Sequence, residues 1–400
     1  MVDYRPLPDS ALDRYRAYLS YAFNPTGERF DPEEADELPA PAEIGERRGL
    51  FEDDELVAVC AHHLFDTRIR GDWHEMGGLS AVATPPENRR QGLTERMLAE
   101  TVAEYGNRGL FLAALWPFSS QFYAKYGWAT ANRVLRQEGP PSAFAFTREQ
   151  EAGSFFEADP EGWESLQAVR DAHRDGYDLT IDRTEEWWEK RVFQGWQSDP
   201  YVYGWEIDGE VEGYLVYTID ETADGDSQIQ TWDFGYATHR ARLNLLRFLA
   251  NHEDQIDSVQ LTGHPDSLVM DLAPDPSNLS YTLHAGPMIR LTDVVAGLSA
   301  ISYPEAVEAA VTIEVQDGLA DWNDGTFDVV VEDGSGTVTR SDTAPAVTFD
   351  VGTLSQLFVG YRSMAELARE RDTVTVHSSE AVPDLDAAFP TRSVSLSEHF

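Results

Sequence analysis

Apolar residues along the chain change their period several times, and each change marks an element. Ala11 to Phe23 follows a helical pattern, whereas Glu55 to Phe65 and Glu75 to Ala83 are rich in strand-forming residues and predict β-strands. Leu93, Met97, Leu98, Val102 and Tyr105 recur at α-helical spacing, so Leu93 to Tyr105 predicts an amphipathic helix that Gly106 ends. Leu110 to Leu115 then reads as a buried strand, and Ser119 or Ser120 as the cap of a short helix carrying Tyr123.

The order repeats further on without a detectable sequence repeat. Helices are expected near Trp163 to His173 and Glu185 to Phe193, strands at Tyr201 to Ile207 and Val211 to Ile219, then a helix carrying Leu243, Leu246 and Leu249, and a strand at Ser258 to Thr262. A third region holds short alternating strands, Val311 to Val315, Thr326 to Glu332, Thr337 to Arg340 and Val347 to Val351, followed by helices near Leu354 to Tyr361 and Met364 to Arg369. Gly139-Pro140-Pro141-Ser142 and Ala273-Pro274-Asp275-Pro276-Ser277-Asn278 interrupt regular structure. These breaks predict three mixed α/β units, at 1–140, 141–285 and 286–400, the second imitating the first and the third an α+β module.

Charge changes the picture more than composition does. With 71 Asp and Glu against 30 Lys and Arg, the net charge is −41, spread through all regions. Nucleic acid is excluded as an expected partner, and the balance fits adaptation to a salty cytoplasm, as in a halophile, where molar salt shortens electrostatic range to about 3 Å. The N-terminus carries no signal segment and no apolar run is long enough to span a bilayer, so a cytoplasmic protein without a membrane partner is expected. Cys60 is the single cysteine, and His62 and His63, adjacent on a predicted strand, point to opposite faces; no metal site is expected.

Chemistry concentrates where the strand ending Ala81-Val82-Ala83-Thr84 turns through Pro85-Pro86 into Arg89-Arg90-Gln91-Gly92-Leu93-Thr94. Amides at a helix start are unpaired and lie at the positive end of the dipole, Gly92 permits close backbone approach, and Arg89 and Arg90 add charge, which together make a cradle for pyrophosphate. Downstream follows Phe122-Tyr123-Ala124-Lys125-Tyr126-Gly127-Trp128.

In these two motifs the chain resembles the GNAT superfamily of acetyl-CoA-dependent N-acetyltransferases, with Thr94 replacing the family's final small residue. A second unit with Phe234-Gly235-Tyr236-Ala237-Thr238-His239-Arg240 where a cradle would lie, together with Pro287 to Val294 and Trp322-Asn323-Asp324-Gly325, narrows the likeness to the Eis (enhanced intracellular survival) acetyltransferases. The resemblance implies an active GNAT domain, a degenerate one and a sterol-carrier-protein-like domain, assembled as hexamers. It implies acetyl-CoA bound by Val82, Ala83 and Thr84 and by Arg89 to Glu95, including Arg90, Gln91, Gly92, Leu93, Thr94 and Glu95, with Phe118 and Ser119 nearby. Tyr123 would be the general acid, and the C-terminal carboxylate of Phe400 the general base. The acceptor would be a primary amine of a small molecule or a lysine side chain, for which an acidic, aromatic-lined cleft is expected, with Tyr21, Phe23 and Glu398 as candidate selecting residues. The competing expectation is a non-catalytic acyl-CoA or lipid-binding carrier or sensor.

Overall fold

The computed structural model describes residues 2–32 and 38–400. In the first unit, strands β1 (Val2–Pro6), β2 (Glu46–Glu52), β3 (Glu55–Ile69), β4 (Asp72–Ala83) and β5 (Leu112–Leu115) accompany helices α1 (Leu12–Phe23), α2 (Leu93–Asn107) and α3 (Ser120–Ala124). Short β6 (Ala129–Thr130) and β7 (Arg133–Gly139) lead into the second unit, with β8 (Ser154–Glu157), α4 (Trp163–Arg174), β9 (Tyr177–Asp178) and α5 (Glu185–Trp187). The second unit continues through β10 (Tyr201–Ile207), β11 (Glu210–Glu221), β12 (Ser227–Tyr236), α6 (His239–Ala250), β13 (Ser258–Gly263), β14 (Ser280–Ala285) and β15 (Met288–Leu291). The third contains α7 (Val294–Ala300), β16 (Ala309–Gln316), β17 (Gly325–Glu332), β18 (Ser335–Arg340), β19 (Val347–Asp350), α8 (Val351–Phe358), α9 (Met364–Glu370), β20 (Thr375–Val376), α10 (Ala381–Ala388) and β21 (Ser393–Val394).

Three larger sheets and the two-stranded β21-β9 organise the described residues as mixed α/β, the larger ones in the orders β1-β2-β3-β4-β5-β15-β6, β14-β7-β13-β12-β11-β10-β8 and β18-β17-β16-β19-β20. The first two sheets trade strands: β7, which follows the first unit, joins the second sheet, and β15, which follows the second, returns to pair with β5 and β6. Division by sheet therefore falls near 131 and near 291, while Pro140-Pro141 only opens a buried 3-10 turn. Prolines mark where an element stops; they do not mark where hydrogen-bond pairing changes sheets.

Burial explains the main helix. Leu93, Met97, Leu98, Thr101, Val102 and Tyr105 form the buried stripe of α2, laid against β3 and β4 in a core with Leu50, Cys60, Leu79 and Leu115. The helix passes through Gly106 to Asn107, and the left-handed residue beyond it is Gly109, at φ +80°, not Gly106. Glu185–Phe193 is likewise a single α turn continued by a π turn over Trp188–Val192.

Candidate active site

Strands β4 and β5 run parallel and pair at Gly77, Gly78 and Leu79 against Ala113, Ala114 and Leu115. Pairing with β5 ends there, while β4 continues to Ala83, so the two strands part and open a cleft. On its other edge the β3–β4 register shifts, leaving Ala81 and Val82 opposite Cys60 alone, and Ala81 sits at φ +53°, a strained left-handed conformation for alanine. The sequence gives no signal for Ala81. This bulge aims the end of β4 at the start of α2.

The turn into α2 could hold an anion. Gly92, its N-cap, has φ +77°, and no side chain caps the helix, so the first amides, those of Leu93, Thr94 and Glu95, are left for a ligand. A Cβ at Gly92 would meet nothing within 4 Å, so glycine is needed there for its backbone angle. The two arginines have different tasks: Arg89 donates to the Thr84 carbonyl at 3.1 Å and lies over the Tyr21 ring at 5.5 Å, bracing the loop. Arg90, at φ +62° and exposed, has no partner among the described residues and is the free charge. Gln91 braces the loop against the Glu87 carbonyl at 3.1 Å. The Thr94 hydroxyl lies 3.3 Å from that of Thr84, so the residue that departs from the motif links the end of β4 to α2. An uncapped helix start, a positive-φ glycine and an unpaired arginine beside parted strands fit a pyrophosphate-bearing ligand.

Ser119 is the N-cap of α3, accepting from the Phe122 amide at 3.3 Å, which sets Tyr123 pointing inward. Tyr123 is buried among Phe118, Phe122 and Trp128, its hydroxyl makes no hydrogen bond with a described residue, and burial pushes its pKa up, so it holds its proton. Phe118 is exposed. Cys60 is fully buried, and burial pushes its thiol up to about 12, which removes it as a nucleophile at neutral pH.

The chain's last residues enter this region from the third unit. Strand β21 pairs with β9, the Leu396 amide donates to Asn132 Oδ1 at 3.2 Å, and Arg174 donates to the Ser395 and Ser397 hydroxyls at 2.6 and 3.3 Å. Glu398, buried, is gripped by Arg170 and by Arg183, the latter at 2.9 Å, and Arg183 also pairs with Asp233 at 2.6 Å. These guanidiniums outweigh the cost of burial and hold the Glu398 carboxyl down at about 2. Trp116, directly after β5, donates to the Glu398 carbonyl at 2.6 Å and stacks on His399 at 3.7 Å, while Arg191 donates to the His399 carbonyl at 3.1 Å.

Phe400 then lies against β4. A Cβ on Gly78 would come within 3.0 Å of its ring, which also touches Phe65 and His63 at centroid distances of 4.8 and 5.5 Å. A Cβ on the neighbouring Gly77 would instead strike Tyr105 of α2 at 2.6 Å. The tail and α2 therefore cover opposite faces of the sheet just before its strands part. His62 and His63 divide the same way: His62 bonds Tyr4 on the α2 side at 2.8 Å, and His63 bonds Ser80 at 2.8 Å on the tail side, where burial holds it neutral with its pKa pushed down to about 3.

Glu398, a candidate selecting residue, has its carboxylate committed to Arg170 and Arg183. Tyr21 and Phe23 are exposed on α1. A cavity of about 340 Å³ beside the tail is walled by Trp187, Arg191, Trp196 and Trp232, and two of its acids, Asp233 and Glu398, are held in ion pairs. Trp116, His63, Arg170, Arg183 and Arg191 carried no motif. Their role depends on contacts across two hundred residues or more, as in Trp116 to Glu398 and Arg170 to Glu398.

Residues 3–131 match an acetyltransferase (GNAT) domain family, residues 179–291 a second acetyltransferase (GNAT) domain family, and residues 294–397 a sterol carrier protein domain family. An uncharacterized N-acetyltransferase of Streptomyces griseus is 25% identical over 98% of this chain and 97% of its own length. N-acetyltransferase Eis of Mycobacterium tuberculosis is 26% identical over 88% of this chain and 87% of its own. Among solved structures, a GCN5-related N-acetyltransferase from Anabaena variabilis superposes over 100% of both chains with TM-score 0.84 at 20% identity. Eis1 from Mycobacterium abscessus does so over 100% of both with TM-score 0.74 at 22% identity. Two GNAT domains in tandem, followed by a sterol-carrier-protein-like domain, make this chain a GNAT-fold acetyltransferase, similar over nearly its whole length to the Eis N-acetyltransferases.

Proposed function

We propose that the first domain transfers an acetyl group directly to a primary amine, with Tyr123 as general acid and the Phe400 carboxylate as general base. Acetyl-CoA supplies the activated acetyl thioester. Arg90 and the amides of Leu93 to Glu95 bind its pyrophosphate, the backbone of Val82, Ala83 and Thr84 orients its arm in the parted cleft, and Phe118 and Ser119 border it. Phe400 takes the proton that the amine must lose, directly or through water, and Tyr123 delivers its own to the departing sulfur. Cys60, held as a thiol, supports direct attack over a covalent relay.

The observation that carries this reading is the anchored tail: paired Glu398, stacked His399 and the Trp116 bond bring Phe400 onto β4 at Gly78, beside the parting strands. The same reading extends to a salt-adapted cytoplasmic homo-oligomer, hexameric as in the Eis resemblance, with an amine-bearing small molecule or lysine side chain as acceptor. Its test is release of free thiol from acetyl-CoA with polyamine and aminoglycoside acceptors, using the native chain and a chain extended by a few residues beyond Phe400. Turnover by the native chain and its loss on extension are expected; full turnover by the extended chain overturns the terminal base.

A further inference from the structure

The second domain has its own parted strands. Parallel pairing of β12 and β13 covers only Gln228, Gln230 and Ile229 against Ser258, Gln260 and Val259, after which the strands separate. Thr231 to Phe234 and Leu261 to His264 line the opening, a cavity of about 400 Å³ that corresponds to the acetyl-CoA cleft of the first domain. It is not a second copy of that site. The helix that follows, α6, is capped by its own Thr238, whose hydroxyl accepts from the Ala241 amide at 3.1 Å, so the amides that would grip pyrophosphate are partly spent.

Four arginines nevertheless line this cavity: Arg133 and Arg136 on β7, Arg174 on α4 and Arg242 on α6. None makes a direct ion pair with a carboxylate among the described residues, although Asp233 and Glu398 act on Arg174 at longer range. Arg174 bonds the two tail serines, Arg242 donates to the Ser267 and Leu268 carbonyls at 3.0 and 2.9 Å, and the exposed Arg133 and Arg136 guanidiniums donate to nothing described. The acid in the wall, Asp233, is committed to Arg183 and to Tyr214 at 2.6 and 2.8 Å, and burial holds the lining His173 neutral, its pKa pushed down to about 3. In a chain where 71 acids face 30 bases, four guanidiniums gathered around a single acid that is already committed to Arg183 run against the average, and a bound anion would relieve their mutual repulsion.

We propose that this cavity is an anion subsite for the phosphate or carboxylate group of a small molecule. Guanidinium forks match those groups in a bidentate manner, and a local positive cluster is what an anion needs to approach a protein of charge −41. Arg174 joins the subsite to the tail, since it lines the cavity and holds Ser395 and Ser397. The group belongs either to the amine acceptor or to a separate anion, and only that distinction rests on the acetyltransferase reading.

The test titrates inorganic pyrophosphate calorimetrically into the full chain already saturated with coenzyme A, at fixed ionic strength, so that the turn at Arg89 to Thr94 is filled. Saturable binding is expected, weakened about tenfold in Arg136→Gln and further in the double variant with Arg133→Gln, with melting temperature and coenzyme A affinity unchanged, because neither side chain has a partner to lose. No saturable binding to the wild type, or equal binding to the double variant, overturns the subsite. A chain that binds coenzyme A but not pyrophosphate loses the subsite alone; one that ignores coenzyme A loses the acetyltransferase reading instead. A second arm compares kcat/KM for ethanolamine and phosphoethanolamine. If the anion belongs to the acceptor, Arg136→Gln narrows a preference for phosphoethanolamine about tenfold; if it is a separate anion, both amines change alike, and the subsite stands in either case.

Discussion

Both GNAT domains part a pair of parallel strands, β4 from β5 and β12 from β13, and both follow the central strand with an amphipathic helix. They differ at the helix start and beyond the second strand. In the first domain Gly92 leaves α2 uncapped and β5 leads into the Ser119-capped helix that buries Tyr123. In the second, Thr238 caps α6, and β13 leads into a 3-10 turn at Pro265–Ser267 that bears no tyrosine. One fold thus parts its strands twice, and the two clefts differ in the polar groups at the helix start.

The largest effect that sharpens this contrast is on turnover. Tyr123→Phe should lower kcat by about 10²- to 10⁴-fold while coenzyme A binds within twofold of wild type, because only a proton donor is removed. Unchanged steady-state kcat would dismiss Tyr123 as the acid. Next comes the tail: Glu398→Gln leaves Arg170 buried without its partner and should cost roughly 3–5 kcal/mol in denaturant unfolding, with activity falling as Phe400 loses its anchor.

That same pair sets a pH dependence. Glu398 titrates at about 2 when folded and near 4.3 when unfolded, so its contribution is complete above about pH 4.3 and is lost as the pH falls towards 2. The stability gap between wild type and Glu398→Gln should accordingly be constant at neutral pH and shrink over that acid window; a gap that widened with acid would contradict the assignment. Smaller still, Thr238→Ala should cost about 1 kcal/mol of stability as a lost helix cap and, on the proposed division between the domains, leave coenzyme A affinity unchanged.

Much of the first domain was legible because its chemistry is local. The α2 stripe, the turn at Arg89 to Thr94 and the cap at Ser119 all lie within one helix turn of the residues that signal them. Strand β12 escaped periodicity: its sequence SQIQTWDFGY is largely polar, and Trp232 on it is exposed. Helix α10 carries Pro383 in its first turn, where proline is tolerated although it reads as a breaker. The tail was legible only through family likeness, because Glu398 reads as one acid among 71 until folding sets it between Arg170 and Arg183. The strand exchange by β7 and β15 was equally hidden, since pairing partners far apart in sequence leave no periodic trace.

The central claim is that one of the two clefts, the one behind Arg89 to Thr94, grips the cofactor. Calorimetric titration of coenzyme A into wild type, Arg90→Gln and Arg240→Gln tests it most directly, Arg240 being the exposed arginine at the start of α6. One site per chain is expected, weakened about tenfold by Arg90→Gln and unaltered by Arg240→Gln. Two sites per chain, or a single site that ignores Arg90→Gln and responds to Arg240→Gln, would contradict the account.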